Sequence, residues 1–146
     1  MSKIVEKFKH TLKDLMEQKG IGVVELAKDL NTSRFVVHKW LTQAKDMRFD
    51  SLLKLANYFN CSIEYLCGRT DVYLGYVPKE PPKFSDRLRE VLAEHGVTSY
   101  RLFKDTKIMA THLHQWKYNH NPMLSNLEIM ADYLGVTIDY LIGRDT

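Results

Sequence analysis

Few side chains in this 146-residue chain are placed to do chemistry, and those few are suited to binding rather than to reaction. Ser33, Arg34, Phe35, His38 and Lys39 fall at the start and along a short helical segment, and Thr42, Gln43 and Lys45 follow it. A hydroxyl, a forked guanidinium, an imidazole and an ammonium are groups that hold anions and hydrogen-bond acceptors. Phe35 is the informative member, because an exposed ring on a short helix loses in water until a groove or a partner covers it. The alternative for the cations alone is an ordinary solvated face. A second set, Met109, Ala110, Thr111, His114 and Gln115 with Tyr118, Asn119 and Asn121 behind it, is polar but carries no fixed cation.

Reaction chemistry has no comparable support. There is no Gly-rich phosphate loop, no His-Glu-x-x-His, and no Ser, His and acid that any spacing draws together, so no catalytic residue, cofactor or enzyme activity is expected. His112, His114 and His120 do not suggest a metal site, since helix positions two apart point to nearly opposite sides and a metal pair wants three or four.

The elements that must position these residues emerge from a repeat. Phe8, Leu12, Leu15, Met16, Gly20, Leu26, Asp29, Val37 and Trp40 recur as Phe84, Leu88, Val91, Leu92, Gly96, Leu102, Asp105, Leu113 and Trp116. Beyond a one-residue deletion, Leu52, Leu55, Ala56, Tyr58, Glu64, Tyr65, Leu66, Gly68 and Arg69 return as Leu127, Met130, Ala131, Tyr133, Asp139, Tyr140, Leu141, Gly143 and Arg144. The expected organisation is therefore a domain over 1–71, a linker over 72–83 and a divergent second copy over 84–146. The three prolines of the linker favour an extended path. Tyr73, Leu74, Tyr76 and Val77 are apolar enough to lie against a domain or a second chain.

Each copy reads as about five helices and no strands, an all-α fold. In the first copy Ile4 to Met16 form an amphipathic stripe ending at Gly20, a short helix covers Val23 to Leu30, and Asn31-Thr32-Ser33 turns into a third helix from Arg34. Asp50 or Ser51 is expected to cap the fourth helix and Ser62 the fifth, with a Ser125/Glu128 capping box in the second copy. Trp40 and Trp116 are expected as core pillars. Cys61 and Cys67, which stand where the second copy has Val136 and Ile142, are expected as buried thiols acting as small hydrophobes. Phe103 replaces Ala27 and Lys107 replaces Asn31, so the second copy should have a crowded, opened helix crossing and a Lys forced into a left-handed turn.

Composition sets wider bounds. With 45% hydrophobic and 27% charged residues the chain can bury a core, and a net charge of +3 with a pI near 8.8 does not by itself select nucleic acid as a partner. Residues 1–71 carry twelve Lys+Arg against nine Asp+Glu, whereas 84–146 carry seven against eight. Neither a signal peptide nor a membrane-length apolar stretch is read, and two cysteines make no disulfide framework; an intracellular protein with no membrane partner is the expectation.

The string Glu25-Leu26-Ala27-Lys28-Asp29-Leu30-Asn31-Thr32-Ser33-Arg34, with Val37, Trp40, Leu55-Ala56 and Ile63-Glu64-Tyr65-Leu66-Cys67-Gly68-Arg69, resembles the lambda-repressor-like (XRE/Cro-type) helix-turn-helix family of bacterial and phage regulators. The second copy resembles it too, so the likeness covers all but the linker. Val23 and Leu41 depart from it, standing where the family usually has a phosphate-touching Gln and often a Glu. What the resemblance implies is a third helix lying in the major groove of double-stranded DNA. Arg34 would fork to guanine O6 and N7, Phe35 would press on a thymine methyl, Ser33 with the helix N-terminus would hold a phosphate, and Thr42, Gln43 and Lys45 would grip the backbone. In the second copy Met109, Thr111, His114, Gln115, Tyr118 and Asn119 would do the same work.

The function so implied is a cytoplasmic, nucleoid-associated, sequence-specific transcriptional regulator, most simply a repressor. A twelve-residue linker spans up to about 40 Å, and half-sites one turn apart lie about 34 Å from each other. One chain could thus act as an intrachain pseudo-dimer, or the second copy could pair two chains into a homodimer. The alternative from another class is an antitoxin-like or adaptor module binding a protein partner through the second domain or the linker.

Overall fold

The computed structural model describes residues 3–43, 46–73, 79–118 and 120–144. Its helices are α1 (Lys3–Lys19), α2 (Val23–Asp29), α3 (Arg34–Thr42), α4 (Phe49–Tyr58) and α5 (Ile63–Leu66), then α6 (Phe84–Glu94), α7 (Ser99–Asp105), α8 (Ala110–Lys117), α9 (Leu124–Leu134) and α10 (Ile138–Ile142). No strand forms among the described residues, and none of their helices is long and apolar enough to cross a membrane. The fold is all-α. By contact the chain divides into Met1–Met47 with Ser51–Tyr76, and Val77–Thr146 with Arg48–Asp50.

In the first unit α1 buries Ile4, Val5, Phe8, Leu12, Leu15 and Met16, one stripe of three- and four-residue spacings. That stripe packs against α3 and α5, and Leu26, Val37, Leu52, Leu55, Ala56, Ile63 and Leu66 complete the core. Each of these larger apolar side chains, Ala56 aside, contributes about 1.5–3 kcal/mol by leaving water. The second unit repeats the arrangement, with Phe84, Leu88, Val91 and Leu92 of α6 set against α8 and α10. Cys61 and Cys67 are buried, as their apolar counterparts Val136 and Ile142 suggested.

The two short terminal helices are closed by matched charges. Arg69 Nε donates to Glu64 Oε2 at 2.7 Å, and Arg144 donates through Nη1 to Asp139 Oδ1 at 2.8 Å. Gly68 and Gly143 sit between the paired positions at φ 71° and 83°, where a Cβ would also come within 2.7 Å of Lys7 Cβ and of Pro82 Cδ. Left-handed backbone and close approach both demand glycine there. Tyr73, at the start of the expected linker, lies against the first unit: its hydroxyl donates to the Phe59 carbonyl at 3.0 Å and its ring meets Tyr65 edge-on.

Some local expectations are overturned. The fourth helix begins at Phe49, so Asp50 and Ser51 lie inside its first turn, where the Asp50 charge suits the helix dipole. Its counterpart begins at Leu124 with Met123 as N-cap, which places Ser125 within the helix and dissolves the proposed capping box. Apolar Phe49 and Leu124 are both buried, so packing sets these helix starts ahead of the polar caps. Trp116 is buried as expected, edge-on to Phe84 at 5.4 Å, but Trp40 is only half-buried.

Candidate nucleic-acid interface

The candidate surface of the first unit depends on how four residues reverse the chain between α2 and α3. Asn31 adopts φ 55°; its N–H reaches the Lys28 carbonyl at 3.2 Å, while that of Thr32 reaches the Ala27 carbonyl at 2.9 Å. This paired closure satisfies the end of α2, and the short polar side chain of asparagine tolerates the left-handed backbone. Ser33 then opens α3, its Oγ accepting the Val36 N–H at 3.2 Å. Buried Ala27 leaves room between the helices, and α2 and α3 lie in close contact.

With Val37 turned fully inward, the opposite face of α3 is left to solvent. Ser33, Arg34, Phe35, His38, Lys39, Thr42 and Gln43 are all exposed, Phe35 by 67%. Arg34 holds its guanidinium 5.4 Å from the Phe35 ring centre, and among the described residues no carboxylate pairs with Arg34, His38 or Lys39. Ser33 uses an acceptor lone pair for capping and keeps its O–H to donate. Thr42 differs, because its Oγ1 already donates to the His38 carbonyl at 2.8 Å. Lys45 lies outside the described residues.

A hydrogen-bonded latch that the sequence reading missed ties α2 to α4. Tyr58 on α4 donates its hydroxyl to Asp29 Oδ2 at 2.6 Å, and Lys19 Nζ stands 4.1 Å over the Tyr58 ring. The Asp29 bond, with burial second, pushes the Tyr58 phenol up to about 12. In the second unit Tyr133 donates to Asp105 Oδ2, also at 2.6 Å, and that bond raises its phenol too. The available signal was that Asp29 and Tyr58 recur together as Asp105 and Tyr133.

The second unit makes its turn by other means. Thr106 is extended at φ −132°; its Oγ1 donates to the Leu102 carbonyl at 2.6 Å and accepts the Ile108 N–H at 3.0 Å. One hydroxyl thus ends α7 and begins the connection. Lys107 is therefore not forced into a left-handed conformation, contrary to expectation, since Asn31 and Asn60 are the non-glycine residues with positive φ among those described. The bulky Phe103 is half-buried, and α7 and α8 lack the close contact of α2 and α3. His112 caps α8 in place of a hydroxyl: its Nδ1 accepts the Met109 N–H at 2.9 Å while its ring stacks on Trp116.

On this second face Met109, Ala110, Thr111, His114, Gln115 and Tyr118 are exposed, Met109 by 56% and Tyr118 by 57%. The rings of His114 and Tyr118 lie 4.9 Å apart. Asn121 is also exposed, and Asn119 lies outside the described residues. The face offers hydrogen-bonding and apolar groups, but charge only at its edge, on Lys117.

Comparison with known families finds a match twice along the chain, over residues 11–71 and 87–146, to the family described as the Cro/C1-type HTH DNA-binding domain. No curated protein and no solved structure matches.

Proposed function

Because the chain belongs to the Cro/C1-type helix-turn-helix DNA-binding family through both of its copies, we propose that it is a sequence-specific transcriptional regulator of double-stranded DNA, acting as a repressor. In this reading α3 enters the major groove, Arg34 and Phe35 meet base edges, and Ser33, His38, Lys39 and Gln43 fix the register on phosphates. One observation carries the proposal: an exposed Phe35 flanked by cations that no carboxylate among the described residues neutralises, on the helix after the turn. Thr42 reaches the DNA backbone through a bridging water, its own hydroxyl hydrogen being engaged by the His38 carbonyl.

Selection of binding sites from random duplexes tests the reading, followed by footprint length and the mass of the complex. An enriched motif that loses definition in Arg34→Ala supports it; retention of no sequence in preference to another overturns it. A split site occupied by one chain identifies a pseudo-dimer, and two chains a homodimer.

A second reading confines DNA contact to the first copy and gives the second to a protein partner. It is favoured by the opened contact between α7 and α8 and by a recognition face whose first turn carries no cation. An unchanged footprint in His114→Ala/Gln115→Ala would support it.

A further inference from the structure

The opened second copy contains a cavity behind its recognition face, with which it shares His114 and the edge residue Lys117. About 240 Å³ in volume, it lies among α6, α7 and α8, with Leu88, Leu92, Leu113 and Trp116 as apolar lining. Ser85 and Ser99 add hydroxyls to it, and the buried Ser85 Oγ has no hydrogen-bond partner among the described residues. Arg89, His114 and Lys117 complete the lining, which includes no carboxylate. Arg89 is tied only loosely, to exposed Asp86 at 3.9 Å.

By the repeat, Ser99 and Lys117 are polar where the first copy is apolar, whereas Arg89 and His114 have the counterparts Lys13 and His38. Ser85, Ser99 and Lys117 stand where the first has Lys9, Val23 and Leu41, and there α2 and α3 close together. An apolar lining with convergent hydroxyls and cations is the composition of a small-molecule site. A dry cavity of about 150 Å³ accommodates benzene, so this one takes a body of about ten non-hydrogen atoms. The absence of any acid and the presence of two fixed cations select a negative head group.

We propose that this cavity binds a small monocarboxylate with an aromatic or branched apolar body, the body against Trp116 and Leu113 and the carboxylate at Lys117 and Arg89. The site does not depend on the DNA-binding reading, and its test contains no DNA.

The full-length, ¹⁵N-labelled chain is titrated with benzoate, benzamide and benzamidine, which share a size and differ in charge. Saturable shifts of the Trp116 indole and the Ser85, Ser99 and Lys117 amides are expected with benzoate, at least about ten-fold tighter than with benzamide and absent with benzamidine. Lys117→Leu, an exposed position where the first copy has leucine, should weaken benzoate about five-fold and leave benzamide unchanged. The spectrum itself reports whether the variant is folded. No saturable shift up to roughly 10 mM benzoate, equal affinity for the three probes, or shifts that Lys117→Leu and Arg89→Leu leave unaltered would each overturn the proposal.

Discussion

At the scale of single residues, the candidate interface rests on groups whose other bonds decide what they can still do. Among the described residues Arg34 has no competing carboxylate, so its fork can meet a base edge; Thr42 already donates its hydroxyl hydrogen bond to the His38 carbonyl. Arg34→Ala should therefore cost about 1–3 kcal/mol of discrimination at one base pair, read as relaxed preference in competition binding. Thr42→Val should weaken binding far less than Lys39→Ala does. Tyr58 offers a test of a different kind. Its phenol is raised to about 12 by Asp29, so the bond stabilises the fold fully below the usual tyrosine value near 10 and is lost as pH climbs from there through 12. Tyr58→Phe should accordingly lower stability by about 1 kcal/mol at pH 8, with the difference from the parent chain shrinking toward pH 12 in denaturant midpoints. No difference at pH 8 would show that the latch contributes nothing, and a difference that held constant to pH 12 would show that it does not run through the phenol hydrogen bond.

At the scale of elements, the two copies solve one problem, reversing the chain between two short helices, with different chemistry. Asn31 uses left-handed backbone; Thr106 uses its side-chain hydroxyl at both ends of an extended residue. Asn31→Val should thus destabilise the first unit by about 1–2 kcal/mol, whereas Lys107→Val should be nearly neutral and Thr106→Val costly, as measured by thermal unfolding of each variant. Equal costs at Asn31 and Lys107 would mean that the turns are alike after all. The same contrast explains the helix spacing. A small Ala27 lets α2 settle on α3, while α7, which carries a half-buried Phe103 at that position, lacks this close contact with α8, and a cavity lies beside them.

At the scale of the whole molecule, charge divides unevenly between the repeats, with the excess of bases in residues 1–71. Counterion release then predicts that the salt dependence of DNA binding belongs mostly to the first copy. Lys39→Ala should reduce the slope of log affinity against log salt by about one, and His114→Ala should leave it unaltered, in titrations across salt on the selected site. A slope that dropped equally for both would place the second copy on the phosphates as well.

What the sequence by itself determined was the all-α class, the twofold repeat, most helix spans and the exposure of the Arg34 face. These follow from periodicity, because apolar spacing and turn residues act within a few positions of one another. Even the Ser33 and Ser62 caps were legible, being contacts across three residues. The tertiary structure alone decided the starts of α4 and α9, the half-exposure of Trp40, the Tyr58–Asp29 and Tyr133–Asp105 latches, and the cavity beside Trp116. Each of these is a competition between a local preference and contacts made from another helix. Lys107 is the clearest case: its place in the repeat predicts a strained turn, and the neighbouring Thr106 hydroxyl, bonded to the helix end, removes the need for one.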